Sequence, residues 1–273
     1  LKNNGYKPGL YSCLAYDRRE WLLYDGNETT TSLFASRFQA NLGLTAFFRG
    51  NGMFRIGVSP EFVNRKKNIG FELLDNPNKS YISYYGQFLV DTYTEGYCPQ
   101  KGNRVVGSAK LITNNFYELE GGNPILQLIL RYYTIIPINK RWNAGFGLNG
   151  GDIIGENPDT RYHNFSMGGF WNEYISTNFP FYGLDLMQKT GNSTLATRLD
   201  LTFNPSFNHF LFLRTNIGKA DSNFENLFNG QDYCIGGGLG YGFKSLFGPL
   251  EAIITYSNIN QELGFVLNLG YTF

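Results

Sequence analysis

The C-terminal stretch Gln261-Glu-Leu-Gly-Phe-Val-Leu-Asn-Leu-Gly-Tyr-Thr-Phe273 carries an apolar side chain at every second position and ends on an aromatic. Leu263, Phe265, Leu267, Leu269, Tyr271 and Phe273 share one face, while Glu262, Gly264, Val266, Asn268, Gly270 and Thr272 share the other, because successive strand side chains alternate. A soluble domain seldom places such a strand, with a free terminal Phe, at its extreme end. The pattern suits the closing strand of an outer-membrane barrel, with one face in lipid and one toward the lumen.

Aromatics make up 17% of the chain, with 24 Phe and 19 Tyr, and glycine is abundant at 33. Mean hydropathy is nevertheless only -0.27, and no apolar run reaches the length a membrane helix needs, about 18 residues. A barrel fits this combination, since strands that alternate lipid-facing and lumen-facing residues average near neutral. The net charge of +1 argues against a nucleic-acid binder, which needs concentrated basic surface. Arg65-Lys66-Lys67 is the densest basic run and reads as a solvated loop. Cys13, Cys98 and Cys234 are odd in number and far apart, so they suggest neither a disulfide framework nor a metal site. No initiator Met or signal peptide opens the sequence, as expected of a processed protein or an excised domain.

Residues 33–48 form the clearest second strand. Phe34, Phe38, Ala40, Leu42, Leu44, Ala46 and Phe48 alternate with Arg37, Gln39, Asn41, Gly43 and Thr45, over a length suited to a tilted membrane crossing. Residues 53–64 repeat the pattern, with Phe54, Ile56, Val58 and Phe62 on one face. Period-two alternation bounded by turn residues predicts further strands at 81–93, 103–113, 125–138, 142–150, 193–204, 208–218, 232–244, 248–257 and 262–273. With a first strand within 10–24, the expected total is twelve.

Tight turns at 49–52, 139–141, 204–207 and 244–247, and a slightly longer one at 94–102, alternate with long connections at 65–80, 114–124, 151–192 and 219–231. Outer-membrane barrels alternate periplasmic turns and extracellular loops in this way. A periplasmic C-terminus and an even strand number then put the N-terminus in the periplasm as well. Closing the sheet would pair every backbone group, which hydrocarbon demands. A soluble β-sandwich is the competing architecture, but it does not combine long strands with this loop asymmetry.

Several segments resemble the Omp85 superfamily, and most closely the barrel that follows a patatin-like phospholipase domain in some bacterial surface antigens. Asp91-Thr-Tyr-Thr-Glu-Gly-Tyr-Cys-Pro-Gln-Lys-Gly102 is similar to that family's D-T-x-x-x-x-x-F-P-x-x-G turn, with Cys98 at the usual aromatic position. Phe165-Ser-Met-Gly-Gly-Phe170 resembles the F-x-x-G-G start of the family's long sixth loop, so Gly168 and Gly169 open the loop motif and Tyr182 and Gly183 continue it. Gly238-Leu-Gly-Tyr-Gly-Phe-Lys-Ser-Leu-Phe-Gly-Pro-Leu250 resembles a G-x-G…G-P-L strand-turn-strand. Glu262 to Leu269 fits the β-signal read by the barrel-assembly machinery, assigning that role to Gly264, Leu267, Leu269 and Phe273.

This resemblance covers residues 33–273 and implies roughly sixteen strands in a full barrel. The count of twelve leaves two explanations, a genuinely reduced barrel or a chain lacking upstream strands, and the first is preferred because both ends then fall in the periplasm. The domain reading is an N-terminal segment with the first strand, 1–32, and a barrel, 33–273, forming one domain overall. Relatives that insert or transport proteins carry a sixth-loop Arg in a V-R-G-Y type motif, which would anchor the loop in the lumen by charged hydrogen bonds. The corresponding stretches here, Phe170 to Tyr174 and Asn178 to Leu184, contain no Arg. That departure weighs against an insertase.

Among inward positions, Gly236, Gly238, Gly240 and Gly242 form a stripe opposite Ile235, Leu239, Tyr241 and Phe243. No helix follows, so the stripe is no nucleotide loop; it leaves room for close approach of the 151–192 loop. Arg37, Gln39, Gln127, Arg131, Arg198, Asp200 and Glu251 also point inward, and suit an internal polar plug better than a selective channel. Arg198 and Asp200, two apart on one face, suit holding the loop.

A patatin hydrolase needs a G-x-S-x-G elbow, which is missing; such activity would lie outside this chain. His163 and Ser166 imitate the His and Ser of a barrel phospholipase, but sit in a predicted loop without an orienting partner. His209 reads as interfacial, and Trp171 and Tyr174 as loop-core or interfacial residues. No cofactor or metal is expected. The overall expectation is an all-β, transmembrane antiparallel barrel of about twelve strands with a long inward-folding extracellular loop, in a Gram-negative outer membrane. It would act as a membrane anchor or translocation domain, with a protein-insertion or passive pore, and an integral phospholipase, as alternatives. Expected partners are outer-membrane lipids and lipopolysaccharide, the barrel-assembly machinery during biogenesis, and a homo-oligomer or larger membrane complex.

Overall fold

The structure is a computed structural model describing residues 7–25, 28–48, 50–70, 78–94, 99–114, 123–155, 163–170, 177–246 and 248–270. Cys98, Trp171, Tyr174, Tyr271 and Phe273 lie outside the described residues. The strands are β1 (Lys7–Asp25), β2 (Glu28–Phe48), β3 (Gly52–Ile69), β4 (Asn78–Asp91), β5 (Gly102–Thr113), β6 (Ile125–Pro137), β7 (Trp142–Ile154), β8 (Phe165–Met167), β9 (Asn178–Phe179), β10 (Lys189–Gly191), β11 (Ser193–Ser206), β12 (His209–Asp221), β13 (Cys234–Ser245), β14 (Gly248–Ser257) and β15 (Gly264–Leu269). Twelve of them form one sheet in the order β1 to β7 and then β11 to β15, and β10, β8 and β9 form a second, small sheet. Every one of the twelve expected strands is present. Helical structure among the described residues is a single 3-10 turn, Glu225–Phe228, and no helix is long and apolar enough to cross a membrane.

Contacts divide the chain into two compact units. One comprises Leu1–Val90, Val106–Ile129 and Asp152–His163. Within it, β1 and β2 pair antiparallel from Lys7↔Phe47 to Asp25↔Glu28, and at 19 and 21 residues they run well past a hydrocarbon crossing, which takes about 9–11. The same extension corrects one expectation: Arg65, Lys66 and Lys67 are not in a loop but in β3, paired with Ala35, Phe34 and Leu33 of β2. Lysine side chains can stay hydrated while the backbone keeps its ladder, so the charge run marks a strand end that has left the apolar band.

Face alternation follows from strand period. On β2, Phe38, Leu42 and Leu44 are exposed, whereas Leu33, Ala35 and Thr45 are buried. Glu61, on the inner face, is 1% exposed and ion-paired with Lys110, as a buried carboxylate must be. In the middle of these strands the outward side chains are mostly apolar and the inward ones mixed, the reverse of a water-soluble sheet.

The second unit comprises Asp91–Val105, Leu130–Gly151 and Asn164–Phe273. On β13, Ile235, Leu239 and Tyr241 are exposed while the alternating glycines are buried; on β14, Ile254 and Tyr256 are exposed while Glu251, Ile253, Thr255 and Ser257 are buried. The inner face of this unit is filled by Tyr182, Phe210, Phe212 and Ile253, against which Phe170 and Val266 pack. The core thus takes one member, Tyr182, from the long connection between β7 and β11.

Candidate functional site

The connection between β7 and β11 folds onto the inner face of the second unit, and its own backbone builds the platform. β8 pairs antiparallel with β10 and parallel with β9; a further bridge joins Gly169 to Phe181. Gly168 and Gly169 adopt φ of 134° and 71°, the left-handed region that glycine enters without a Cβ penalty. A Cβ at Gly168 would also overlap the Asp185 carbonyl. The kink lets Gly168 N–H donate to Phe179 O at 3.1 Å and Gly169 N–H to Leu184 O at 3.0 Å. Phe165, Met167 and Phe179 are fully buried and Phe181 nearly so, each contributing about 1.5–3 kcal/mol toward ordering the segment.

Three clamps hold this platform. Arg131, from β6, donates through Nη2 to the Asn178 carbonyl at 3.1 Å, with its guanidinium 5.2 Å from the centre of the Phe179 ring. Arg214, from β12, donates through Nη1 to the Tyr182 hydroxyl at 3.0 Å and stands 3.6 Å from the buried Glu251 carboxylate. The Tyr182 ring also lies within 5.6 Å of the Arg198 guanidinium and 5.8 Å of Arg214, in cation–π range. Third, the Gly183 carbonyl accepts from Ser257 Oγ at 2.6 Å and Asn260 Nδ2 at 3.0 Å. Gln188 Nε2 donates to Asn260 Oδ1 at 2.6 Å.

Arg198 is engaged twice by Asp200, through Nε and Nη2, which directs its cationic plane toward the ring rather than into open space. The loop therefore offers a phenol and two carbonyls, and the wall offers three guanidiniums. The guanidiniums that engage the loop belong to β6, β11 and β12.

Of the glycine stripe, Gly236 is covered by the loop, since a Cβ there would overlap the Tyr182 carbonyl. Gly240 lies instead beneath the Phe212 ring, and Gly238 faces Ile253 and Thr255 of β14; Gly242 pairs with Glu251. Arg37 belongs to the first unit, where it ion-pairs with Asp17 at 2.7 Å. Gly264, Leu267 and Leu269 pair with Thr255, Ala252 and Leu250 on the last ladder.

The turn after β4 is also built as its motif suggests. Asp91 Oδ1 accepts from Tyr93 N–H at 2.9 Å, Thr92 exchanges bonds with Asn103, and Gly102 has φ 126° where a Cβ would overlap the Thr92 carbonyl. Burial raises the Tyr93 phenol above its ordinary range.

Ser166 Oγ donates to Asn178 Oδ1 at 2.8 Å and is buried. His163 meets Tyr81 edge-on at 4.8 Å, and its carbonyl accepts from Gln127. Each is thus used in packing its own unit. No group of three metal-ligating side chains occurs among the described residues. Arg214, Asn178 and Ser257 were not singled out from sequence. Arg214 shares its inward parity with Phe210 and Phe212, so the alternation of His209 to Arg214 could have found it; Asn178 and Ser257 carry no local signal.

Among solved structures, the chain is similar to the crystal structure of BamA from Haemophilus ducreyi lacking POTRA domains 1–3, with a TM-score of 0.72 at 13% identity over 97% of this chain and 59% of that one. It is also similar to CdiB from Acinetobacter baumannii, with a TM-score of 0.59 at 16% identity over 97% of this chain and 48% of that one. The chain therefore spans about half to six-tenths of those proteins. No protein of curated function matches it in sequence. These likenesses concern the fold, that of an antiparallel outer-membrane barrel of Gram-negative type. The sequence model described as the OMP85 superfamily matches residues 31–273, and with the twelve-stranded sheet and its inward-docked loop this shows that the chain belongs to the OMP85 superfamily.

Proposed function

We propose that the chain is the membrane-embedded barrel of a Gram-negative surface protein, with both termini periplasmic and the long loop docked as an internal plug, so that anchoring rather than free conduction is its resting task. The observation that carries this reading is the seating of Tyr182 against Arg214 and Arg198. A loop whose side chains are buried and which is clamped at one phenol and two carbonyls supports a plug better than an open pore. The motif set at 91–102, 165–170 and 238–250 supports a patatin-like surface antigen as the parent, its hydrolase lying upstream. Outer-membrane lipids and lipopolysaccharide would meet the exposed apolar face. The barrel-assembly machinery would read residues 262–273. Homo-oligomers or larger complexes are compatible with this arrangement.

A second reading, protein translocation or insertion, draws on the likeness to BamA and CdiB. Planar-bilayer recording separates the two. The anchor reading expects low conductance from the wild-type chain and opening steps after Tyr182→Ala; high steady conductance in the wild type would sink it. The phospholipase reading has less support, because Ser166 spends its proton on Asn178. Lipase assay of Ser166→Ala should give the wild-type signal.

A further inference from the structure

At the end of the sheet that carries the long loop, β12 and β13 are joined by residues 222–233, a connection whose tip is apolar. Phe224 and Phe228 pack edge-to-face with centroids 5.5 Å apart, yet both remain more than half exposed. Leu227, between them in sequence, turns the other way and is buried. The 3-10 turn thus separates the apolar residues, Leu227 inward as an anchor and Phe224 and Phe228 outward and more than half exposed.

The loop is held too firmly for this display to come from disorder. Lys219 Nζ reaches beneath it to Asn226 O at 2.8 Å, Asn229 Oδ1 at 2.6 Å and Asp221 at 3.4 Å. Asp221 Oδ1 accepts from Ser222 N–H and Asn226 Nδ2, and Tyr233 OH donates to Leu227 O at 2.6 Å. Exposed aromatics on a fixed backbone bind at low entropic cost, and such residues commonly anchor protein interfaces.

Charge decides what kind of partner fits. From residue 220 to 233 every ionisable carboxylate or ammonium is an acid, namely Asp221, Glu225 and Asp232, and Glu225 and Asp232 are exposed. Of the nearby cations, Lys219 has its ammonium turned into the loop, with a side chain 5% exposed, and Lys189 of β10 stands near Cys234 at the base of the loop. An aromatic pair rimmed by carboxylates repels an anionic lipid surface and attracts a cationic chain. We infer that the Phe224–Phe228 tip is a docking surface for a basic, amphipathic polypeptide segment of another protein.

The test uses the full chain in nanodiscs of zwitterionic lipid and a fluorescent amphipathic peptide of leucines and lysines, read by anisotropy. Saturable binding is expected, weakened at least tenfold by Phe224→Ser/Phe228→Ser and by Glu225→Lys/Asp232→Lys, and weakened by added salt. A matched peptide with glutamates for lysines should not bind. Equal binding of both peptides, or binding unchanged in the double Phe variant, would overturn the proposal. So would docking to phosphatidylglycerol vesicles through these phenylalanines, which would make the tip a lipid anchor, or self-association lost in the Phe variant, which would make the partner a second copy. Both variants leave Leu227 and the Lys219 network intact, and circular dichroism of the barrel should match the wild type.

Discussion

Tyr182 and Arg214 lie 32 residues apart and meet through a single hydrogen bond of 3.0 Å between the guanidinium Nη1 and the phenolic oxygen. One residue belongs to the loop and the other to the wall at β12, so the bond ties the connection to the sheet. Glu251, 3% exposed, shares the same guanidinium. The guanidinium thus faces a carboxylate from β14 and a hydroxyl from the loop.

Tyr182→Phe should keep the ring and lose the acceptor. The loop would remain in place but loosened, with unfolding stability lowered by about 1–3 kcal/mol, because a buried charged donor loses a partner. Thermal unfolding in detergent and limited proteolysis within residues 163–191 measure this. Arg214→Lys should do nearly the same, since an ammonium cannot serve phenol and carboxylate with a planar fork.

Gly236→Ala should displace the loop, because the added methyl would occupy the site of the Tyr182 carbonyl. Overpacking of this kind costs about 1–3 kcal/mol. Gly86→Ala is the control: nothing lies within 4 Å of a Cβ there. Protease sensitivity of the loop should rise in the first variant and stay unchanged in the second.

Leu239→Arg tests the outward face. The side chain is 64% exposed near the middle of β13, where a charge in hydrocarbon costs about 2–4 kcal/mol. Lower folding yield into lipid vesicles is expected. Normal yield would show that this face meets water.

Gly102→Ala combines a positive φ with an overlap at the Thr92 carbonyl. Such backbone strain costs on the order of 1–3 kcal/mol. Slower folding into vesicles, without loss of loop protection, would separate this turn from the loop clamp.

Strand number, strand positions and face assignment were all legible in sequence, because a period of two is a local property that survives any tertiary arrangement. Leu239 outward and Gly238 inward follow from neighbouring residues alone, as does the inward parity of Arg198, Asp200 and, with one more step of counting, Arg214. Where strands end was less legible. Arg65 to Lys67 look like a loop by charge, yet pair with β2, since backbone pairing does not depend on which solvent the side chains meet. The partners of the long loop could not be read at all. Ser257 finds Gly183 from 74 residues away, and Tyr182 finds Arg214 across a platform of three short strands. Alternation tells a side chain which face it occupies; only the folded sheet, by setting register and bringing the loop against it, decides whom it meets there.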